Sequence, residues 1–184
     1  MKFSDMPYER VDFEKVGEEL SGLIRELEEA KSGEEQFAVH QRYYALTDHV
    51  NTLMTIGHIR HDINTVDEFY EKERKYYDEM EPIFQNQVLE YMQKLYESPY
   101  RDYLESKIGP VAFKNMEVGM KAFDERVITL SQEENALTTE YDQLIASAKI
   151  QFDGKELNLS LLRPYLVSPD REVRRQAWQK KTEF

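Results

Sequence analysis

The sequence predicts a mostly helical protein, an antiparallel domain of long helices with one short β-hairpin near residues 150–159. Three observations predict it. Apolar residues recur at steps of three and four over most of the chain, the period of an amphipathic helix. No internal repeat, low-complexity tract or Gly/Ser linker interrupts them, and the 184 residues hold only seven glycines. The period changes to alternation once, on either side of an Asp-Gly pair, which is a strong short-range hairpin signal.

Phe13, Val16, Leu20, Leu23, Ile24 and Leu27 form one stripe of a first helix, and Gly33 sits where that helix should stop. A second helix from about Glu34 to Asn64 carries Phe37, Tyr43, Tyr44, Leu46, Val50, Leu53, Met54, Ile56 and Ile59. Thr65-Val66-Asp67-Glu68 then reads as a capping box with Thr65 as the N-cap. The third helix runs through Phe69, Tyr70, Tyr76, Tyr77, Met80, Phe84, Val88, Tyr91 and Leu95, and Pro82 inside it predicts a kink or a restart. Ser98-Pro99 opens a short helix that Gly109-Pro110 ends, and a further segment carries Phe113, Met116, Met120, Phe123 and Val127. Ser131-Gln132-Glu133-Glu134 reads as a second capping box, opening a helix with Leu137, Tyr141, Leu144 and Ile145.

Ile150-Gln151-Phe152 and Leu157-Asn158-Leu159 alternate around Asp153-Gly154, followed by the short apolar segment Leu161–Leu166. The last helix is expected to open with Ser168 as N-cap, Pro169 in the first position, and Asp170 and Glu172 complementing the positive end of the helix dipole. No glycine, asparagine or proline follows to close it, and Phe184 is an aromatic that favours burial. The expectation is that more protein lies beyond Phe184 and carries the parent's chemistry.

The absence of cysteine excludes disulfides, thiolate metal sites and a cysteine nucleophile from these residues, and suits a reducing compartment. With no apolar run following a basic stretch at the start, and none long enough to span a bilayer, the expected location is the cytoplasm, away from membranes. The net charge of −12 argues against a nucleic-acid partner. That charge is uneven: Ser160–Phe184 carries +3 on an acidic body of −15.

Candidate chemistry is sparse. His58 and His61 lie three apart beside Asp62 and could present two imidazoles to a metal, but they lack the His-Glu-x-x-His spacing of zinc peptidases. His40 is separated from His58 by 18 residues of helix, about 27 Å, so the two cannot share an ion. We read His58 and His61 as polar residues flanking a helix end. No histidine has a glutamate three residues before it, as a di-iron bundle needs, and no phosphate-binding glycine loop or Gly-x-Ser-x-Gly elbow occurs. The expected set of catalytic, cofactor-binding and metal-binding residues is therefore empty. The adjacent pairs Tyr43/Tyr44 and Tyr76/Tyr77 can each place one ring in the core and the other toward a groove or partner, but the favoured reading is large helical-core aromatics with wetted hydroxyls.

The stretch from Phe152 to Trp178, with its hairpin, its Leu-rich turn and its Ser-Pro-Asp-Arg-Glu-Val-Arg helix start, resembles the N-terminal region of oligoendopeptidase F and related zinc oligopeptidases of the thimet-oligopeptidase superfamily. Ile59-Arg60-His61-Asp62-Ile63-Asn64-Thr65 is similar to the same proteins. The resemblance implies that residues 1–184 are a single N-terminal helical domain, or part of one, of a larger peptidase. It implies a parent that cleaves short peptides in a deep channel, with zinc on a His-Glu-x-x-His helix in a C-terminal catalytic domain. This chain would then be one wall of that channel and inactive alone. The alternative is a stand-alone acidic helical module that binds a protein or peptide without catalysis.

Overall fold

A computed structural model describes residues 2–122 and 127–184. Phe123, expected on the fifth helix, lies outside the described residues. Among these there are eight α-helices and one two-stranded hairpin: α1 (Phe13–Glu29), α2 (Gly33–Ile63), α3 (Glu68–Tyr96), α4 (Arg101–Ile108), α5 (Pro110–Ala122), α6 (Val127–Ala146), β1 (Ile150–Phe152), β2 (Lys155–Leu157), α7 (Leu159–Leu166) and α8 (Arg171–Thr182). The mostly α expectation holds. The chain divides into two compact units, residues 1–135 and 136–184.

In the first unit α1 lies on α2 and α3, and α4 and α5 pack on α2 and α3 respectively. The stripe expected of α1 is the buried one: Phe13, Leu20, Leu23, Ile24 and Leu27 are all buried. Each fully buried leucine there contributes about 2 kcal/mol. One core cluster gathers Leu20, Leu23, Leu27, Val39, Tyr43, Tyr91, Leu95, Leu104 and Phe113. A second gathers Val11, Phe13, Val50, Leu53, Met54, Tyr77 and Phe84.

Several local expectations are corrected by packing. Gly33 does not end α1, which stops at Glu29. It opens α2 behind the N-cap Ser32, whose hydroxyl accepts from Glu35 N at 3.2 Å. A Cβ at Gly33 would stand 2.6 Å from the Tyr103 ring, so the glycine serves close approach. The cap of α3 is Asp67, not Thr65: its carboxylate accepts from Phe69 N at 3.0 Å and Tyr70 N at 3.2 Å. Pro82 does not restart α3, which continues through it. The proline has no N–H for the carbonyl of Asp78 four residues earlier, and that oxygen accepts from Asn135 Nδ2 at 3.2 Å instead. Ser131–Glu134 lies inside α6, which begins at Val127, and opens nothing.

In the second unit β1 and β2 pair antiparallel, with Ile150 opposite Leu157 and Phe152 opposite Lys155. Asp153 and Gly154 both have positive φ, 52° and 70°, the backbone of a type I′ turn. Ile150 and Leu157 share one face and pack with Leu162 and Ala177. The cap of α8 is Asp170, accepting from Glu172 N at 2.8 Å, whereas Ser168 Oγ accepts from Asp170 N one step earlier. The stripe expected of α6 is not buried: Leu137, Tyr141 and Leu144 are exposed.

Candidate functional site

The last turns of α2 bring His58 and His61 toward α3. His61 is 1% exposed, with Nδ1 3.3 Å from Asp62 Oδ1, and His58 meets the Tyr77 ring edge-on at 5.6 Å. Both Nε2 atoms are buried without a hydrogen-bond partner among the described residues. Burial, reinforced by the Arg74 guanidinium, holds the His58 imidazole below its ordinary value. Both lie within the last two turns of α2, and no group of three His, Cys, Asp or Glu able to hold a metal is found among the described residues.

Next to it the segment before α1 is fastened to α2 and α3. Glu73, fully buried, accepts from Tyr8 Oη and from the Arg10 guanidinium, with Nε at 2.8 Å. Tyr76 Oη donates to the Val11 carbonyl at 3.0 Å, and Val11 N donates to Tyr77 Oη at 3.3 Å. Arg60 reaches the Met6 carbonyl at 2.6 Å and Tyr70 Oη at 2.8 Å. Burial and the Glu73 carboxylate push the Tyr8 phenol upward, so the hydroxyl stays a donor. Arg60 belongs to the Ile59–Thr65 segment. Its use is structural, and neither it nor Glu73 stands out in the sequence as a member of a network.

The Tyr43/Tyr44 pair splits between core and groove, whereas in the Tyr76/Tyr77 pair both rings pack on the core around Phe13. Tyr43 is buried and Tyr44 is 63% exposed, while Tyr77 is buried and Tyr76 half-buried. Tyr43 stacks on Tyr91 with ring centroids 3.8 Å apart and 2° between planes, and His40 stacks on both rings. His40 Nδ1 lies 3.4 Å from Tyr91 Oη.

Around Tyr43 and Tyr44, α2, α3 and α5, with Ile108 at the end of α4, line a groove of about 490 Å³. Phe84, Val88, Met92, Ile108, Ala112 and Met116 line it with the two tyrosines, and His40, Thr47, Asn51 and Gln85 add polar groups. The Thr47 hydroxyl is spent on the Tyr43 and Tyr44 carbonyls, at 3.1 and 3.2 Å. Burial holds His40 below its ordinary value and pushes the Tyr43 phenol up to about 12, so both are neutral at pH 7. The lining is thus uncharged in a chain that is 33% charged. A larger cleft, about 990 Å³, runs along α1 and α3 but carries Glu14, Glu18, Glu28 and Glu90 against Arg25, a solvated acidic face. The uncharged groove suits binding and holds no nucleophile–base pair for catalysis.

These are the features of a mostly helical domain with one ligand-sized uncharged groove among its described residues. The chain belongs to the peptidase M3 family, as an N-terminal region: the Peptidase M3 N-terminal domain model matches residues 3–123. It is similar to PZ peptidase A, solved with an inhibitor, at 37% identity and a TM-score of 0.93 over 99% of this chain and 32% of that one. It is equally similar, at 37% identity and TM-score 0.94, to a chain assigned as an oligoendopeptidase F, covering 100% of this chain and 32% of that one. A Bacillus anthracis str. Ames chain with the same assignment is 33% identical with a TM-score of 0.93, over 100% of this chain and 34% of that one. The chain therefore spans about a third of the length of these relatives. No curated protein sequence matches it.

Proposed function

We propose that this chain is the N-terminal, non-catalytic portion of a zinc-dependent oligoendopeptidase that hydrolyses short peptides, and that it forms a wall of the substrate channel. The observation that carries the reading is the likeness of 99% of the chain, at 37% identity, to PZ peptidase A, a peptidase solved with an inhibitor. The uncharged α2–α3–α5 groove supplies a peptide-facing surface for such a wall. The donors of this chain do not fit a catalytic zinc, since among the described residues no three candidate ligands converge. The metal and the hydrolytic step are therefore assigned to a C-terminal catalytic domain, the principal partner of this one. The lack of cysteine and of any described helix able to cross a membrane suits a cytoplasmic enzyme.

The gene carried through to its stop codon supplies the test. The full product is expected to cleave quenched fluorescent short peptides, to lose activity to a chelator and to regain it with zinc. Residues 1–184 alone are expected to cleave none. A frame ending just after Phe184, or a full product without peptidase activity, overturns the reading and leaves the stand-alone interaction module.

A further inference from the structure

We propose that the α2–α3–α5 groove is a side-chain subsite that takes an apolar or aromatic residue of the bound peptide, with Tyr44 and Ala112 setting what it admits. This rests on the channel-wall reading and deepens it from a wall to a selective surface. The first argument is charge. A lining without a formal charge, in a chain of net charge −12, cannot repay the desolvation of a lysine or glutamate side chain, whereas an apolar side chain loses nothing by entering. The acidic body around it adds repulsion against an anionic residue in particular.

The second argument is the kind of atoms at the floor and rim. Phe84 and Tyr43 make a rigid aromatic floor held by the Tyr43–Tyr91 stack, while Met92 and Met116 offer adaptable thioethers that conform to side chains of different shape. Asn51 and Gln85 are exposed and bring amide donors and acceptors, which pair with peptide groups and would be left unmatched by a hydrocarbon chain. At about 490 Å³ the groove lies within the range of small-ligand pockets, large enough for an aromatic side chain and the backbone beside it. Tyr44 stands exposed at its edge, as a recognition tyrosine should.

The experiment uses the full-length protein and quenched peptides in which one phenylalanine or one glutamate is moved through an alanine background. At one position phenylalanine is expected to be preferred over glutamate by about tenfold or more in kcat/KM. Ala112→Trp, which fills the groove, should erase that preference through KM, with a loss on the phenylalanine peptide at least about tenfold larger than on the all-alanine peptide. Tyr44→Ala, on the surface and harmless to folding, should reduce it about threefold. A preference untouched by both variants, or an equal loss on the all-alanine peptide, overturns the subsite. Access is read separately by maleimide labelling of Tyr44→Cys. Labelling slowed by the phenylalanine peptide supports the inference, and a thiol that never reacts in the native protein shows the groove to be covered and ends it. If the full product cleaves nothing, the channel-wall reading fails alone. Anisotropy of the labelled phenylalanine and glutamate peptides then decides the groove: tenfold tighter binding of the former, lost in Ala112→Trp, upholds it, and equal binding refutes it.

Discussion

The two compact units solve the problem of burial differently. Residues 1–135 bury the apolar stripes of α1, α2 and α3 against one another and reinforce them with a polar network on buried Glu73 and a ring stack on buried Tyr91. Residues 136–184 gather a core of four buried residues, Ile150, Leu157, Leu162 and Ala177, and leave Leu137, Tyr141, Leu144 and Trp178 exposed. The family model matches within the first unit, whereas the most specific sequence resemblance, Phe152–Trp178, lies in the second. Bulk packing makes the first recognisable by its pattern over length. Special backbone and caps make the second recognisable by a few residues.

The contrast predicts a gradient of mutational effects. Tyr91→Ala removes a fully buried ring that stacks on Tyr43 and His40, and should cost about 4 kcal/mol by urea unfolding, the cost of a large aromatic cavity. A loss under 1 kcal/mol would mean that the first unit is not tightly packed there. Leu162→Ala, in the smaller core, should cost about 2 kcal/mol, the low end for a leucine, because exposed neighbours can collapse inward. Hydrogen exchange should show the loss in hairpin and α8 amides while α1–α3 amides keep their protection. Equal loss in both would show that the two units unfold as one.

Glu73→Gln should cost about 2 kcal/mol, less than a fully buried ion pair because Arg10 is half exposed. The expected loss is greatest in exchange protection of the segment before α1, which Glu73 holds through Tyr8 and Arg10. If that segment keeps its protection, the Tyr76 and Arg60 contacts suffice to hold it.

Much of the fold was legible because helices and hairpins are written in periods. The stripe of α1, the extent of α2 and the Asp153-Gly154 turn all follow from local spacing. What was not legible depends on partners far along the chain. Gly33 looks like a stop signal until Tyr103 is placed against it. Pro82 looks like a break until Asn135 is seen to take the orphaned Asp78 carbonyl. Asp67 and Asp170 displaced the expected caps Thr65 and Ser168, since both candidates are good cap residues and only the entry path of the chain chooses. The groove was legible only in part: the Tyr43/Tyr44 pair marked it, but Met92, Ile108 and Ala112 reach it from α3, α4 and α5.

A smaller effect separates the units by pH. All four histidines lie in the first unit, and burial holds His40 and His58 below their ordinary values. The unfolded chain then binds protons first, so stability is full above the ordinary histidine range and declines as pH falls through it. Glu81, raised by burial, opposes this nearer the carboxylate range, so the window from pH 7 to 6 isolates the histidines. In the second unit Glu172 is held down to about 2 by Arg175 and Gln176, and its contribution is lost only as pH falls toward that value. Hydrogen exchange at pH 7 and 6, corrected for intrinsic rates, should loosen α2 and α3 and spare the hairpin. His40→Gln should shrink the change, and an unchanged response would remove His40 from the account.

The smallest expected effect tests the backbone argument for the second unit. Gly154 has φ of 70° and nothing within 4 Å of where a Cβ would stand. Gly154→Ala therefore meets no clash, and its cost is conformational alone, about 1 kcal/mol for an L-residue held in the left-handed region. Asp153 already occupies φ of 52° with its carboxylate 3.2 Å from Tyr165 Oη, so the turn tolerates one such residue with a local hydrogen bond. Gly154→Asn, which keeps a short polar side chain, should recover about half of the loss. If both variants match the wild type in hairpin exchange protection, the register of Ile150 on Leu157 is set by the core and not by the turn. The second unit would then rest on packing, as the first does.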